Sequence, residues 1–184
     1  QSNELKEKIG LQPNAVVLGF VGRLSKDKGI DILFDAFNIL VKKYPFLSLV
    51  LAGPLSKENK FSESSVHQLY YDERVFYLGK MIDVTPVYEI IDILVLPSLR
   101  EGFGNVLIEA AAMAIPVIAS EIPGCKDAVK KNINGYLFEK GNLFELCNYL
   151  EQLITNKNLR NEFGKNGKVF VQNNFNNHQL CNDP

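Results

Sequence analysis

Cysteine is scarce in this chain. Cys125, Cys147 and Cys181 stand singly, without a C-x-x-C pair, and only His67 and His178 are there to join them. That spacing excludes a zinc site of the usual kind and a disulfide-rich scaffold, and it fits a reducing, cytoplasmic setting. Charge of one sign is missing as well: 20 Lys and Arg face 21 Asp and Glu, for a formal net charge of -1. No broad field draws the chain to nucleic-acid phosphates or to anionic lipid, so a nucleic-acid partner is not expected. The apolar runs all fall short of the ~18 residues that a membrane-spanning helix needs. Any contact with the inner face of a membrane is expected to run through parts outside this chain. Internal repeats, Gly/Ser-rich linkers and the G-x-x-x-x-G-K-[ST] pattern of a P-loop are absent too.

What remains is an ordinary globular composition, 46% hydrophobic and 22% charged over 184 residues. At this length a chain buries roughly 70% of its unfolded surface, enough for one core. Short β-rich apolar runs alternate with segments of helical period, the pattern of a βαβ series and a parallel sheet. The runs 15–21, 47–52, 75–78, 93–96, 117–119 and 135–138 predict six strands. Helices are predicted over 28–43, 59–71, 84–91, 103–114, 126–130, 143–154 and 159–173, the last weakened by Gly164 and Gly167, with a turn at Pro123-Gly124. The opening residues 1–9 look like the tail of a helix in a longer protein. The expected fold is a doubly wound, Rossmann-like α/β domain over 15–175 with a mostly parallel six-stranded sheet, an entry segment over 1–14 and a tail over 176–184.

In an open parallel sheet, ligands sit outside the carboxyl ends of the strands. After the first strand, Gly22, Arg23 and Lys28 form a glycine turn with two cations at the entrance to a helix. Arg can fork onto two phosphate oxygens, Lys adds a point charge and a helix start offers free N–H groups, an arrangement suited to a diphosphate. The same residues also describe a solvated basic loop capping a helix. After the fourth strand comes Glu101-Gly102-Phe103-Gly104-Asn105-Val106, with Glu109 one to two turns into the next helix. The glycines allow close backbone approach, and the two carboxylates can accept from sugar and ribose hydroxyls. Read alone, Glu109 is also an ordinary exposed helix residue. Its apolar neighbours, however, predict that its charge has a partner.

Together with Pro97-Ser98, Ala110, the run Pro116-Val117-Ile118-Ala119 and Asn134-Gly135, these blocks resemble the C-terminal half of a family-4 retaining glycosyltransferase of the GT-B fold, over residues 15–175. The resemblance implies that Gly22, Arg23 and Lys28 bind the diphosphate of a UDP- or GDP-sugar. It implies that Glu101 contacts the donor sugar as the catalytic-site carboxylate. Gly102, Phe103, Gly104, Asn105 and Val106 are expected to give amides to sugar and phosphate, Glu109 to hold the ribose, and backbone near Lys80 and Met81 to meet the base. It implies no metal and no other cofactor. The expected activity is hexose-type transfer to a glycan or lipid-linked acceptor, as in polysaccharide biosynthesis. A missing N-terminal domain would carry the acceptor site, leaving this chain inactive alone.

Three positions depart from the family pattern. Ala114 stands where Gly is common and reads as a packing variation, Asp127 stands where Glu is common, and the second strand ends in Gly53-Pro54-Leu55 instead of Gly-x-Gly. An NAD-type Rossmann domain is the first rival, but the first loop lacks the third glycine and no acid closes the second strand. A non-catalytic nucleotide-sugar sensor or scaffold is the second.

Overall fold

The computed structural model describes residues 2–175; the predicted tail, with His178 and Cys181, lies outside them. Six strands form one parallel sheet in the order β3-β2-β1-β4-β5-β6: β1 is Val16–Val21, β2 Leu47–Ala52, β3 Val75–Tyr77, β4 Ile93–Leu96, β5 Val117–Ser120 and β6 Gly135–Phe138. Every residue of β2, β4, β5 and β6 is buried. Such continuous apolar runs are what a sheet covered on both faces requires. The helices that cover it are α1 (Ser2–Ile9), α2 (Ile30–Lys43), α3 (Glu63–Tyr71), α4 (Thr85–Tyr88), α5 (Asn105–Ala112), α6 (Pro123–Lys126), α7 (Leu143–Thr155) and α8 (Lys157–Asn174). α2 packs on α3 and α7, α5 on α8, and α1 on α4. Leu5, Ile9 and Leu11 join the core from the opening segment.

The chain winds outward from β1 to β3 and then crosses back to place β4 on the other side of β1. At this switch point the loops after β1 and β4 diverge from neighbouring strands, and a crevice opens between them.

Strand positions agree with the sequence to within a residue or two at each end, whereas several helix starts do not. The predicted helix 28–43 is split: a single turn at Lys26–Lys28 ends in Gly29, whose φ of 73° is left-handed, and α2 begins after it. A Cβ at Gly29 would lie 2.0 Å from the Pro97 carbonyl oxygen, so the break is set by contact between the two site loops. The helix predicted over 59–71 starts later, where the Ser62 hydroxyl accepts from the Ser65 N–H at 3.2 Å. The predicted turn at Pro123-Gly124 is instead the first turn of α6, with proline at its start, and 127–130 is not helical.

Gly164 and Gly167 do not interrupt α8, which runs through both. They form its seam with α5, where an added Cβ at Gly164 would meet the Ala114 carbonyl oxygen at 2.0 Å and one at Gly167 would meet Ala111 at 3.2 Å. The corner between α7 and α8 is tied by Arg160, which is buried and donates to the carbonyls of Leu153 and Ile154 at 2.6 and 3.0 Å. The Asn156 side chain caps α8 by accepting from the Leu159 N–H at 3.0 Å.

Ala114 is more than a packing variation. It follows the end of α5 with φ 59°, the left-handed position at which a Cβ is strained and glycine is favoured. Ala114→Gly is expected to raise stability by about 0.5 to 1 kcal/mol, the relief of strain outweighing the extra freedom of the unfolded chain. Urea unfolding that shows no gain would contradict this account.

Candidate functional site

The crevice at the switch point is a cavity of about 220 Å³. It gathers most of the predicted site: Gly22, Arg23 and Lys28 from the loop after β1, and Glu101, Phe103, Gly104, Asn105 and Val106 from the loop and helix after β4. Val21 and Leu96, the last residues of β1 and β4, form its floor. The Leu99 N–H donates to the Asp27 carbonyl at 2.8 Å, joining the two loops a second time.

Both cations rest on acids. Lys28 Nζ donates to Glu101 Oε2 at 2.6 Å, with the two side chains 20% and 13% exposed. The Ser98 hydroxyl donates to the same oxygen at 3.2 Å. Arg23 Nη2 pairs with Asp27 Oδ2 at 3.2 Å, four residues on, while half of the Arg23 side chain stays exposed. Neither Ser98 nor Asp27 was assigned a role from sequence. The i,i+4 spacing of Arg23 and Asp27 was the readable signal for one of them.

Helix α5 begins at this cavity with no side chain capping it, so its positive end faces the same space as the two cations. The start lies two residues later than predicted because Phe103 and Gly104 are held outside the helix by α6: the Gly104 N–H donates to the Gly124 carbonyl at 2.8 Å. A Cβ at Gly124 would lie 2.3 Å from the Glu101 carbonyl oxygen, so α6 braces the loop from behind.

Glu109 is exposed on α5, and its predicted partner is Tyr88, whose hydroxyl donates to Glu109 Oε2 at 2.6 Å. Burial, and then the neighbouring Glu109, raise the Tyr88 phenol well above its ordinary range. Gly102 is exposed at the edge of the loop, Phe103 is 45% exposed, and Asp127 is exposed at the end of α6. Lys80 and Met81 do not line this cavity. Lys80 is exposed, and Met81 lies in a separate groove with Leu5 and Pro86. The loops after β2 and β3 are tied instead to each other, through Gly53 N–H to the Gly79 carbonyl at 2.7 Å and the Tyr77 hydroxyl to the Gly53 carbonyl at 3.1 Å. His67 is on the surface, its ring 4.7 Å from that of Tyr71. Among the described residues no group of three or more His, Cys, Asp and Glu side chains converges as a metal site, and no helix is long and apolar enough to cross a membrane.

Cys125, fully buried on α6, has its thiol pushed up to about 12 by burial and, secondarily, by the Glu101 charge, with Lys28 opposing. An unfolded thiol ionises near its ordinary value of 9.0, whereas this one keeps its proton, so stability falls as pH rises between those values. Between pH 9 and 10 this loss is about 1 kcal/mol. Cys125→Ala is expected to lose that much less than the parent in urea unfolding over the same interval. Equal losses would show that Cys125 ionises freely in the folded protein.

Residues 1–170 match the family model for group 1 glycosyl transferases. The chain is 37% identical over 175 residues to the capsular polysaccharide biosynthesis glycosyltransferase CapM of Staphylococcus aureus, spanning 95% of this chain and 46% of that protein. It is 30% identical to a D-inositol 3-phosphate glycosyltransferase of Corynebacterium urealyticum, over 83% of this chain and 38% of the relative. It therefore spans less than half the length of either. Anabaena HepE, solved in complex with UDP and glucose, superposes with a TM-score of 0.81 at 26% identity, over 94% of this chain and 47% of that one. The C-terminal domain of the group 1 glycosyl transferase LpcC from Francisella tularensis superposes with a TM-score of 0.83 at 25% identity, over 95% and 93% of the two chains. The cavity with Arg23, Lys28 and Glu101 thus lies in the C-terminal Rossmann-like domain of a GT-B protein, and the chain belongs to the group 1 glycosyltransferase family.

Proposed function

We propose that this chain is the donor-binding half of a retaining glycosyltransferase that moves a hexose-type sugar from a nucleoside diphosphate to a glycan or lipid-linked acceptor. The observation that carries the reading is the meeting of Arg23, Lys28, Glu101 and the uncapped start of α5 in one cavity at the switch point. HepE, of the same fold, has been solved with UDP-glucose, which supports a nucleotide-sugar as the ligand here.

In this reading the diphosphate takes the place of carboxylates around the two cations. Arg23 turns from Asp27, Lys28 shares its charge between Glu101 and phosphate, and the amides at the α5 start meet the remaining oxygens. As the bond from the anomeric carbon to the diphosphate oxygen breaks, these groups stabilise the negative charge on the leaving group. A metal ion is not required for that task. Glu101, close to Lys28, is the carboxylate positioned for the sugar, and Glu109 is the one for the ribose. The acceptor hydroxyl must be held beside the anomeric carbon by something else, which we assign to the part of a longer protein outside this chain. The segment 1–14 would then lead in from that part.

Thermal shifts with UDP, GDP, ADP and their sugars, in the presence of a chelator, test the reading, since a ligand that binds only the folded form raises the melting temperature. Arg23→Glu is expected to abolish the shift while moving the melting temperature of the empty protein by less than about 2 °C, because it breaks only an exposed i,i+4 pair. Binding that survives the charge reversal, or that needs magnesium, would overturn the assignment.

Glu101→Gln separates sugar handling from diphosphate binding. Freed of its counter-ion, Lys28 is expected to hold bare UDP or GDP at least as tightly as before, while turnover of the full-length enzyme falls by about 100-fold or more. The isolated chain should transfer no sugar, and the full-length enzyme should give a product with the donor's anomeric configuration. Transfer by the chain alone, or an inverted product, would contradict the proposal.

A further inference from the structure

The Tyr88–Glu109 contact has no part in the steps above, although it is a short hydrogen bond from a buried residue to an exposed one. Tyr88 ends α4 and is 5% exposed, so its ring has one position, fixed by packing. Glu109 stands on the exposed face of α5. A glutamate there is free to sample several rotamers, and restraining it costs entropy. The hydroxyl of Tyr88, 2.6 Å from Oε2, supplies that restraint before any ligand arrives.

Helical spacing directs the restrained carboxylate. Asn105 and Val106, four and three residues earlier on α5, both line the cavity. Residues at these spacings share a helix face, and helical side chains lean toward the N-terminus. Glu109 does not itself line the cavity, but it shares the face of α5 that carries Asn105 and Val106, one turn further along. With Oε2 engaged by Tyr88, Oε1 is left to accept from a ligand hydroxyl.

We infer that Tyr88 is a positioning residue, which pre-orients the Glu109 carboxylate toward the vicinal hydroxyls of the ribose. The inference rests on the proposed role of Glu109 at the ribose. The raised phenol keeps its proton, and therefore its donor role, throughout the neutral range. A bond that served only to satisfy the buried hydroxyl would affect stability and not the choice between ligands with and without ribose hydroxyls.

Calorimetric titration of the 184-residue chain with UDP and 2′,3′-dideoxy-UDP, and in parallel with the two guanosine counterparts, reads that difference. Tyr88→Phe is expected to weaken UDP or GDP about fivefold and to leave the dideoxy ligand unchanged. Glu109→Gln should weaken the ribose-bearing ligand at least as much. In a Glu109→Gln background, Tyr88→Phe should have no further effect, which also shows that the phenylalanine leaves the site intact. If Glu109→Gln erases the preference for ribose and Tyr88→Phe does not reduce it, or weakens both ligands equally, the positioning role is overturned while the ribose role stands. If Glu109→Gln leaves the preference whole, or neither nucleotide binds, the ribose role fails and the inference falls with it.

Discussion

Gly29 leaves room for the carbonyl oxygen of Pro97, which would lie 2.0 Å from any Cβ placed there. This approach fastens the loop after β1 to the loop after β4 at the one place where the sheet order reverses. The cavity depends on it. Lys28 immediately precedes the glycine and Glu101 follows Pro97 by four residues, so the contact that pins the backbones also delivers the ammonium to the carboxylate. The helices behind serve the same junction, α6 by bracing Glu101 through Gly124 and α5 by bringing its uncapped first turn to the remaining wall.

Both cations of the cavity are neutralised by carboxylates of the same loops. Two unpaired positive groups in a small crevice would repel each other and, for Lys28, pay the cost of partial burial without a counter-ion. Glu101 and Asp27 remove that cost. The consequence is selective: an incoming anion has to offer these cations more than a single carboxylate already does. In the proposed reading a diphosphate, with several oxygens on two linked centres, would meet the demand through Arg23, Lys28 and the helix start together, whereas an isolated carboxylate would merely exchange one partner for another.

The sheet was legible in the sequence because the strands are short β-rich runs, most of them closed by Gly, Pro or Ser, a signal that tertiary packing reinforces. Arg23, Lys28 and Glu101 were legible through their place after the first and fourth strands and through the family pattern they resemble. Helix starts beside the site were not, because Gly104 and Gly29 are held by loops distant in the chain and local propensity is silent about such contacts. The same holds for Tyr88: a charge at Glu109 implied a partner, but nothing in the residues around position 88 says which polar group on α5 its hydroxyl reaches. Gly164 and Gly167 read as helix weakeners because propensity prices a glycine without knowing what lies against it. Ala114 read as a packing variation because its left-handed backbone is not visible in the sequence.

The corner between α7 and α8 has a mechanical meaning. Arg160 grips the last carbonyls of α7, Asn156 caps α8, and the glycine seam sets α8 close against α5, with Ala111 and the Ala114 backbone on the opposing side. A side chain added on α8 at Gly164 or Gly167 would therefore have to displace α8 or the end of α5, the helix whose first turn lines the cavity.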